Sequence, residues 1–154
     1  MNEFFFSEIR NGNFNEVKAM LDKNPILVNS KNDRGSTPLI LATYSDELEI
    51  ATLLLEKGAK IDAKDASGNT ALMGVCFKGY YDIADILIQK GASVNERNTM
   101  GATGLIYAAT FKRVEIAKLL IAHGADKTIK DSRGATAWDH AKTQGVQELI
   151  DLLK

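Results

Sequence analysis

Residues 48–55 read LEIATLLL, and the same arrangement of apolar positions returns downstream on a fixed interval. Leu54 is answered by Leu87, Leu120 and Leu153, each 33 residues after the one before, and Leu53 by Ile86, Leu119 and Leu152. Ala51 is matched by Ala84 and Ala117, small residues that let helices approach closely. Large apolar residues at Ile50, Leu53 and Leu54 on a polar background have the spacing of one helical face. A shorter apolar run precedes them, with Leu39 and Ala42 three apart. The polar cluster YSDE at 44–47 separates the two runs, so each period predicts helix, loop, helix.

The punctuation keeps the same clock. GSTPL stands at 35, GNTAL at 68, GATGL at 101 and GATAW at 134. Gly35, Gly68, Gly101 and Gly134 suit turns with positive φ, and Thr37, Thr70, Thr103 and Thr136 are expected to be helix N-caps. Pro38 fits a first helical position. Gly58-Ala59, Gly91-Ala92 and Gly124-Ala125 mark the ends of the second helices. Neither helix of a unit reaches the ~12–15 residues at which isolated helices become stable, so a stack that shares one elongated core is required. The chain therefore divides into one domain, 1–154: a terminal unit 1–31, internal units 32–64, 65–97 and 98–130, and a terminal unit 131–154. In the first unit, 11–25 aligns with the second half of a period, with Pro25 in place of the helix-ending glycine. The column Asp22, Leu55, Ile88, Ile121, Lys154 is apolar inside and charged at both ends, as expected of a complete array with capped termini. The triplet Phe4-Phe5-Phe6 is expected to cover the open N-terminal end of the core.

Composition narrows the classes. A net charge of −1 gives no electrostatic case for nucleic acid or an anionic membrane. No run approaches the ~20 apolar residues of a membrane helix, and the opening residues lack a signal-peptide core. The single cysteine, Cys76, excludes an internal disulfide and points to a cytoplasmic home.

The 33-residue period, STPLILA at 36, the EIA, LLL and KGA blocks between 49 and 59, and the D/N-x-x-G-x-T turns together resemble the ankyrin repeat, over essentially the whole of 1–154. The resemblance implies an all-α fold: an ankyrin-repeat solenoid of stacked helix-turn-helix units with short β-hairpin arms. It also implies binding of a partner protein through the concave face and hairpin tips. The histidine of the family's T-P-L-H is replaced by Ile40, Met73, Ile106 and Asp139, and Lys127 stands where Ile61 and Val94 are apolar.

Candidate chemistry is sparse. His123 precedes a helix-ending glycine, where it favours the helix C-terminus. His140 falls on a helix-face column, and Cys76 reads as a small core residue. No metal-binding, phosphate-loop or nucleophile-elbow motif is present, so no cofactor and no metal site are expected. Lys31, Lys64, Arg97 and Lys130 form a basic column, either a strip for an acidic partner or a solvated arm position neutralised by Asp33, Asp65 and Asp131. Among the positions that the resemblance assigns to partner contacts, Arg34, Tyr44, Phe77, Lys78, Met100, Phe111 and Arg133 stand out; Tyr80 and Tyr81 extend the patch. Phe77 and Phe111 could instead fold inward and seal the stack. The expected function is a monomeric, non-catalytic interaction module, adaptor or inhibitor. The alternative is a small-molecule or peptide sensor using an aromatic groove; an enzyme lacks converging acid, base and nucleophile. Leu87→Ala is expected to cost about 2–5 kcal/mol in chemical denaturation. A loss below about half a kcal/mol, the scale of surface changes, would show that its column is not buried.

Overall fold

The computed structural model describes residues 2–154. Ten α-helices and one 3-10 turn (Pro25–Asn29) form among the described residues. The helices fall into five pairs: α1 (Asn2–Arg10) with α2 (Phe14–Lys23), α3 (Pro38–Tyr44) with α4 (Leu48–Glu56), and α5 (Ala71–Lys78) with α6 (Tyr81–Gln89). α7 (Gly104–Thr110) with α8 (Val114–Ala122) and α9 (Ala137–Gln144) with α10 (Gln147–Leu153) complete the series. Odd-numbered helices touch in one row, α1 to α3 and on to α9, and even-numbered helices touch in a second row. The result is an all-helical repeat solenoid.

The core runs between the rows. Leu54, Leu87, Leu120 and Leu153 are all exposed by 2% or less, and Ala51, Ala84 and Ala117 are equally buried. The next column is thinner, with Leu53 and Leu119 buried and Ile86 and Leu152 half-buried. Each threonine cap forms as its position requires: the side chains of Thr37, Thr70, Thr103 and Thr136 accept from the N–H three residues on, at 3.1–3.3 Å. At the replaced histidine position Ile40, Met73 and Ile106 are buried apolar residues. Asp139 instead accepts from the Thr136 N–H at 2.9 Å and completes a reciprocal capping box. Gly104 begins α7 without a side chain because the Cys76 Sγ stands 3.1 Å from where its Cβ would be.

The phenylalanine triplet belongs to the terminal helix α1, which packs on α3. Phe5 and Phe6, edge to face at 5.9 Å, are buried and cover the N-terminal end of the core as expected, while Phe4 is 55% exposed and lines the cleft beside α1. One expectation is corrected. The arms form turns, not β-hairpins; no strand forms among the described residues. Each junction between arms has one backbone bond, as from Thr99 N–H to Ser67 O at 3.0 Å or Ser132 N–H to Met100 O at 2.9 Å. A ladder needs repeated pairing along both chains, which one bond cannot supply.

The arms are shaped by side chains. Asn32, Asp65, Asn98 and Asp131 each accept on Oδ1 from two backbone N–H groups, two and four residues on, at 2.9–3.0 Å. Gly68 then turns at φ +80°, and a Cβ there would meet the Thr99 nitrogen at 3.0 Å. Asn29 and Asn95 tie each unit to the next, accepting from Lys60 and Asp126 N–H groups and donating to the Gly58 and Gly124 carbonyls. Asp62 accepts likewise from the Ser93 N–H.

The loops inside the pairs share a left-handed residue: Asp46 (φ 60°), Gly79 (φ 83°), Lys112 (φ 64°) and Gly145 (φ 74°). Lys112 is exposed there and carries the steric cost of that conformation without a glycine's freedom. Lys112→Gly is expected to raise the unfolding free energy by roughly 0.5–1 kcal/mol, after the extra freedom glycine gives the unfolded chain. Urea denaturation checks it; equal or lower stability would show that the loop is unstrained.

Candidate functional site

The last turns of α3, α5 and α7 bring four aromatic rings together on the inner face. Phe77 is the hub. It stacks parallel to Tyr44 at 6.3 Å, meets Phe111 edge-on at 4.6 Å, and meets Tyr107 edge-on at 6.4 Å. Edge-to-face contacts of this kind stabilise a cluster beyond the area it buries. The Lys78 ammonium sits 4.8 Å from the Tyr44 ring centroid and 5.6 Å from that of Tyr80. Arg113 donates twice to the Phe77 carbonyl, at 3.1 and 3.2 Å, and so holds the end of α5 and the ring it carries.

Both readings of the phenylalanines apply in part. Phe77 is half-buried and seals the junction between units, whereas Tyr44 and Phe111 are about two-fifths exposed. A hollow of about 250 Å³ opens among Tyr44, Met73, Phe77, Tyr107 and Phe111, with Asn69 at its edge. A larger cleft of about 1370 Å³ lies beside it, between α1 and the first two arms, and includes Phe4, Arg10, Arg34 and Tyr44. Arg34 is therefore a cleft residue. Met100, 56% exposed, and Arg133 stand on the later arms and line neither space. Tyr81 is exposed at the start of α6, and Tyr80 packs against the core. Those two tyrosines extend the aromatic surface away from the hollow and do not line it.

The basic column lies along the exposed edge of the arms, and three of its cations bond to the backbone of the next unit. Lys31 donates to the Lys64 carbonyl, Lys64 to that of Arg97, and Arg97 to that of Lys130, at 2.8–3.4 Å. Each cation thus reaches one unit ahead and stitches it to its own. Lys64 pairs with Glu96 at 3.1 Å, while Asp65 and Asp131 are occupied in folding the turns. Lys127, the departure from an apolar column, is exposed and donates to the Lys154 carbonyl.

Other titratable groups serve structure. Cys76 is fully buried, and burial pushes its thiol up to about 12, which leaves no thiolate for reaction at neutral pH. His123 is the C-cap of α8, its Nδ1 3.0 Å from the Leu119 carbonyl. His140 Nε2 lies 2.8 Å from Asp131 Oδ2, the position at which Tyr107 meets Asn98 one unit earlier. No cluster of three or more His, Cys, Asp or Glu able to hold a metal ion forms among the described residues.

Stacked two-helix units with half-exposed aromatics on the inner face define a helical repeat scaffold. A model of the family described as Ankyrin repeats (3 copies) matches residues 6–65 and again 60–131, and the chain belongs to that family. Over 54 residues, 35% of this chain, it is 43% identical to Ankyrin repeat and SAM domain-containing protein 6 of Rattus norvegicus. The same identity and span hold for the Mus musculus protein of that name. The matched stretch is 6% of the length of either relative. Ankyrin repeats are generally protein–protein interaction modules, typically without catalytic activity.

Asp131 supplies a pH test. Burial raises its carboxyl, but the bonds from His140 and from the Ala135 and Arg133 N–H groups outweigh that and hold it below the usual carboxylate range. A carboxyl depressed on folding stabilises the fold above its unfolded value, near 3.9, and that contribution is lost as the pH falls through the lower folded value. Asp131→Asn keeps the turn-forming oxygen, as Asn98 does, but cannot titrate. Its unfolding free energy is expected to fall less steeply than that of the wild type below about pH 4. Identical acid limbs would show that this carboxylate is not linked to folding.

Proposed function

We propose that the chain is a non-catalytic module that holds one partner protein against its inner face and arm tips, as an adaptor or as an inhibitor covering a partner's surface. The observation that carries this reading is the Tyr44–Phe77–Phe111 cluster, partly exposed yet fixed on short helices that their neighbours hold in place. Buried aromatic anchors supply most of the binding energy in protein interfaces, and a rigid platform loses little order on binding. Arg34, Met100 and Arg133 add exposed contacts on the arms, and Lys78, Tyr80 and Tyr81 border the cluster.

The module acts as a monomer in the cytoplasm. Nucleic acid is disfavoured as a partner because three of the cations in the basic column are engaged with backbone carbonyls and the chain has a net charge of −1. No helix among the described residues is long and apolar enough to cross a membrane.

Affinity purification from the native host, with the wild-type chain and the Phe77→Ala/Phe111→Ala variant in parallel, tests the reading. A protein recovered by the wild type is expected to bind the variant at least about tenfold more weakly, with circular dichroism confirming that the variant stays folded. Undiminished recovery would remove the aromatic cluster from the interface.

A further inference from the structure

The first-helix column bordering the aromatic cluster reads Leu41, Gly74, Tyr107, His140. Three units fill this place with a large side chain, and the third leaves it open. The hollow of about 250 Å³ lies there, with Gly74 among its lining residues. A Cβ at Gly74 would stand 3.3 Å from Cδ1 of Tyr44, so even alanine presses on the wall. Glycine inside a helix is destabilising, and Gly74 lies inside α5. The glycine gives the Tyr44 ring room against α5, and the space beyond that contact stays open as the hollow.

The chemistry of the hollow is asymmetric. Its walls are aromatic and its lining includes no carboxylate. The Asn98 Nδ2 donates to Asn69 Oδ1 at 2.9 Å and to the Tyr107 hydroxyl oxygen at 2.8 Å. That fixes the amide of Asn69 with its own Nδ2 still free to donate, and leaves the Tyr107 hydroxyl its hydrogen to give. The Lys78 ammonium stands over the Tyr44 ring, and among the described residues no carboxylate pairs with it. The unmet side-chain groups that line the hollow are therefore donors, and the Lys78 cation lies just outside the lining, over the Tyr44 ring.

We propose that this hollow is the anchor site for a linear acidic segment of the partner protein. A leucine or phenylalanine side chain enters the hollow over Gly74 and Met73, beside the stacked Tyr44 and Phe77 rings, and an adjacent carboxylate accepts from Asn69 and Tyr107 and is drawn to the nearby Lys78. Charge complementarity selects this occupant. Aromatic walls alone would also suit a cation such as a methylated lysine, but Lys78 already holds the Tyr44 face and repels a second positive charge. The inference rests on the protein-binding reading of this face and narrows it to one chemistry.

A random peptide library displayed on phage and selected on the full chain tests it, with enriched peptides synthesised and measured by fluorescence anisotropy. The expected peptides carry leucine or phenylalanine flanked by aspartate or glutamate. Gly74→Leu, which places the side chain found at Leu41 into the hollow, should weaken them by about tenfold or more, with circular dichroism confirming that the variant stays folded. Gly74→Ala serves the same purpose with less bulk should leucine disturb the fold. Lys78→Gln should weaken them several-fold and flatten their salt dependence. Peptides without acidic flanks, peptides held equally by the Gly74 variants, or no enrichment at all would overturn the proposal. A partner protein lost on Phe77→Ala/Phe111→Ala but retained by Gly74→Leu would leave the binding face standing and remove the hollow from it. Retention by both variants would overturn both.

Discussion

The helices of this chain are seven to ten residues long, and isolated helices of that length do not persist in water. Each exists because its neighbours cover it. The leucine column from Leu54 to Leu153 is buried between units, so the hydrophobic term that stabilises one helix belongs jointly to two. Side chains of one unit also bond to backbone groups of the next, along the exposed edges of each junction. Asn29, Asn95 and Asp62 meet those of the helix-ending loops, and Lys31, Lys64 and Arg97 meet carbonyls along the arms. A platform bonded in this way holds its inner side chains in place before any partner arrives.

The leucine columns and the threonine caps were legible in the sequence, and the bonds between units were not. Leucine columns announce themselves because burial restricts residue type at a fixed interval. The stitches along the basic column do not, because their acceptors are backbone carbonyls, which every residue carries. Lys31, Lys64 and Arg97 therefore looked like a charged strip. The aspartates were misread for a related reason: Asp65 and Asp131 share a column with Asn32 and Asn98, and what unites the four is an acceptor oxygen, not a charge. α1 was missed as a helix because its opening lacks the glycine–threonine marker, although Phe5, Phe6 and Ile9 already carried the spacing of a buried face.

The aromatic cluster shows a different limit. Pattern alone left Phe77 and Phe111 equally able to seal the stack or face a partner, since both positions end a first helix and precede a loop. Their neighbours decide the outcome. Phe111 meets Phe77 edge-on, which covers the hub and leaves the outer ring two-fifths exposed. One residue seals and the other is presented. A single interface can therefore be anchored in the core and still offer apolar surface, the combination that makes hot spots rigid.

The departures from the repeat pattern in the third, fourth and terminal units are each answered by a neighbour inside the chain. Gly104 is answered by the Cys76 sulfur that fills its space. Asp139 is answered by the Thr136 N–H that it accepts. The strained loop at Lys112 adjoins Arg113, whose guanidinium holds the Phe77 carbonyl and would collide with any Cβ at Gly79. Gly74 is answered in the same way by the Tyr44 ring, whose Cδ1 stands 3.3 Å from where its Cβ would be. Each break in the repeat thus has a compensating neighbour, as expected where a local rule is broken without loss of the fold. What stays unmet among the described residues is polar: beside the hollow the Asn69 amide and the Tyr107 hydroxyl keep hydrogens to donate, because Asn98 occupies their acceptor oxygens.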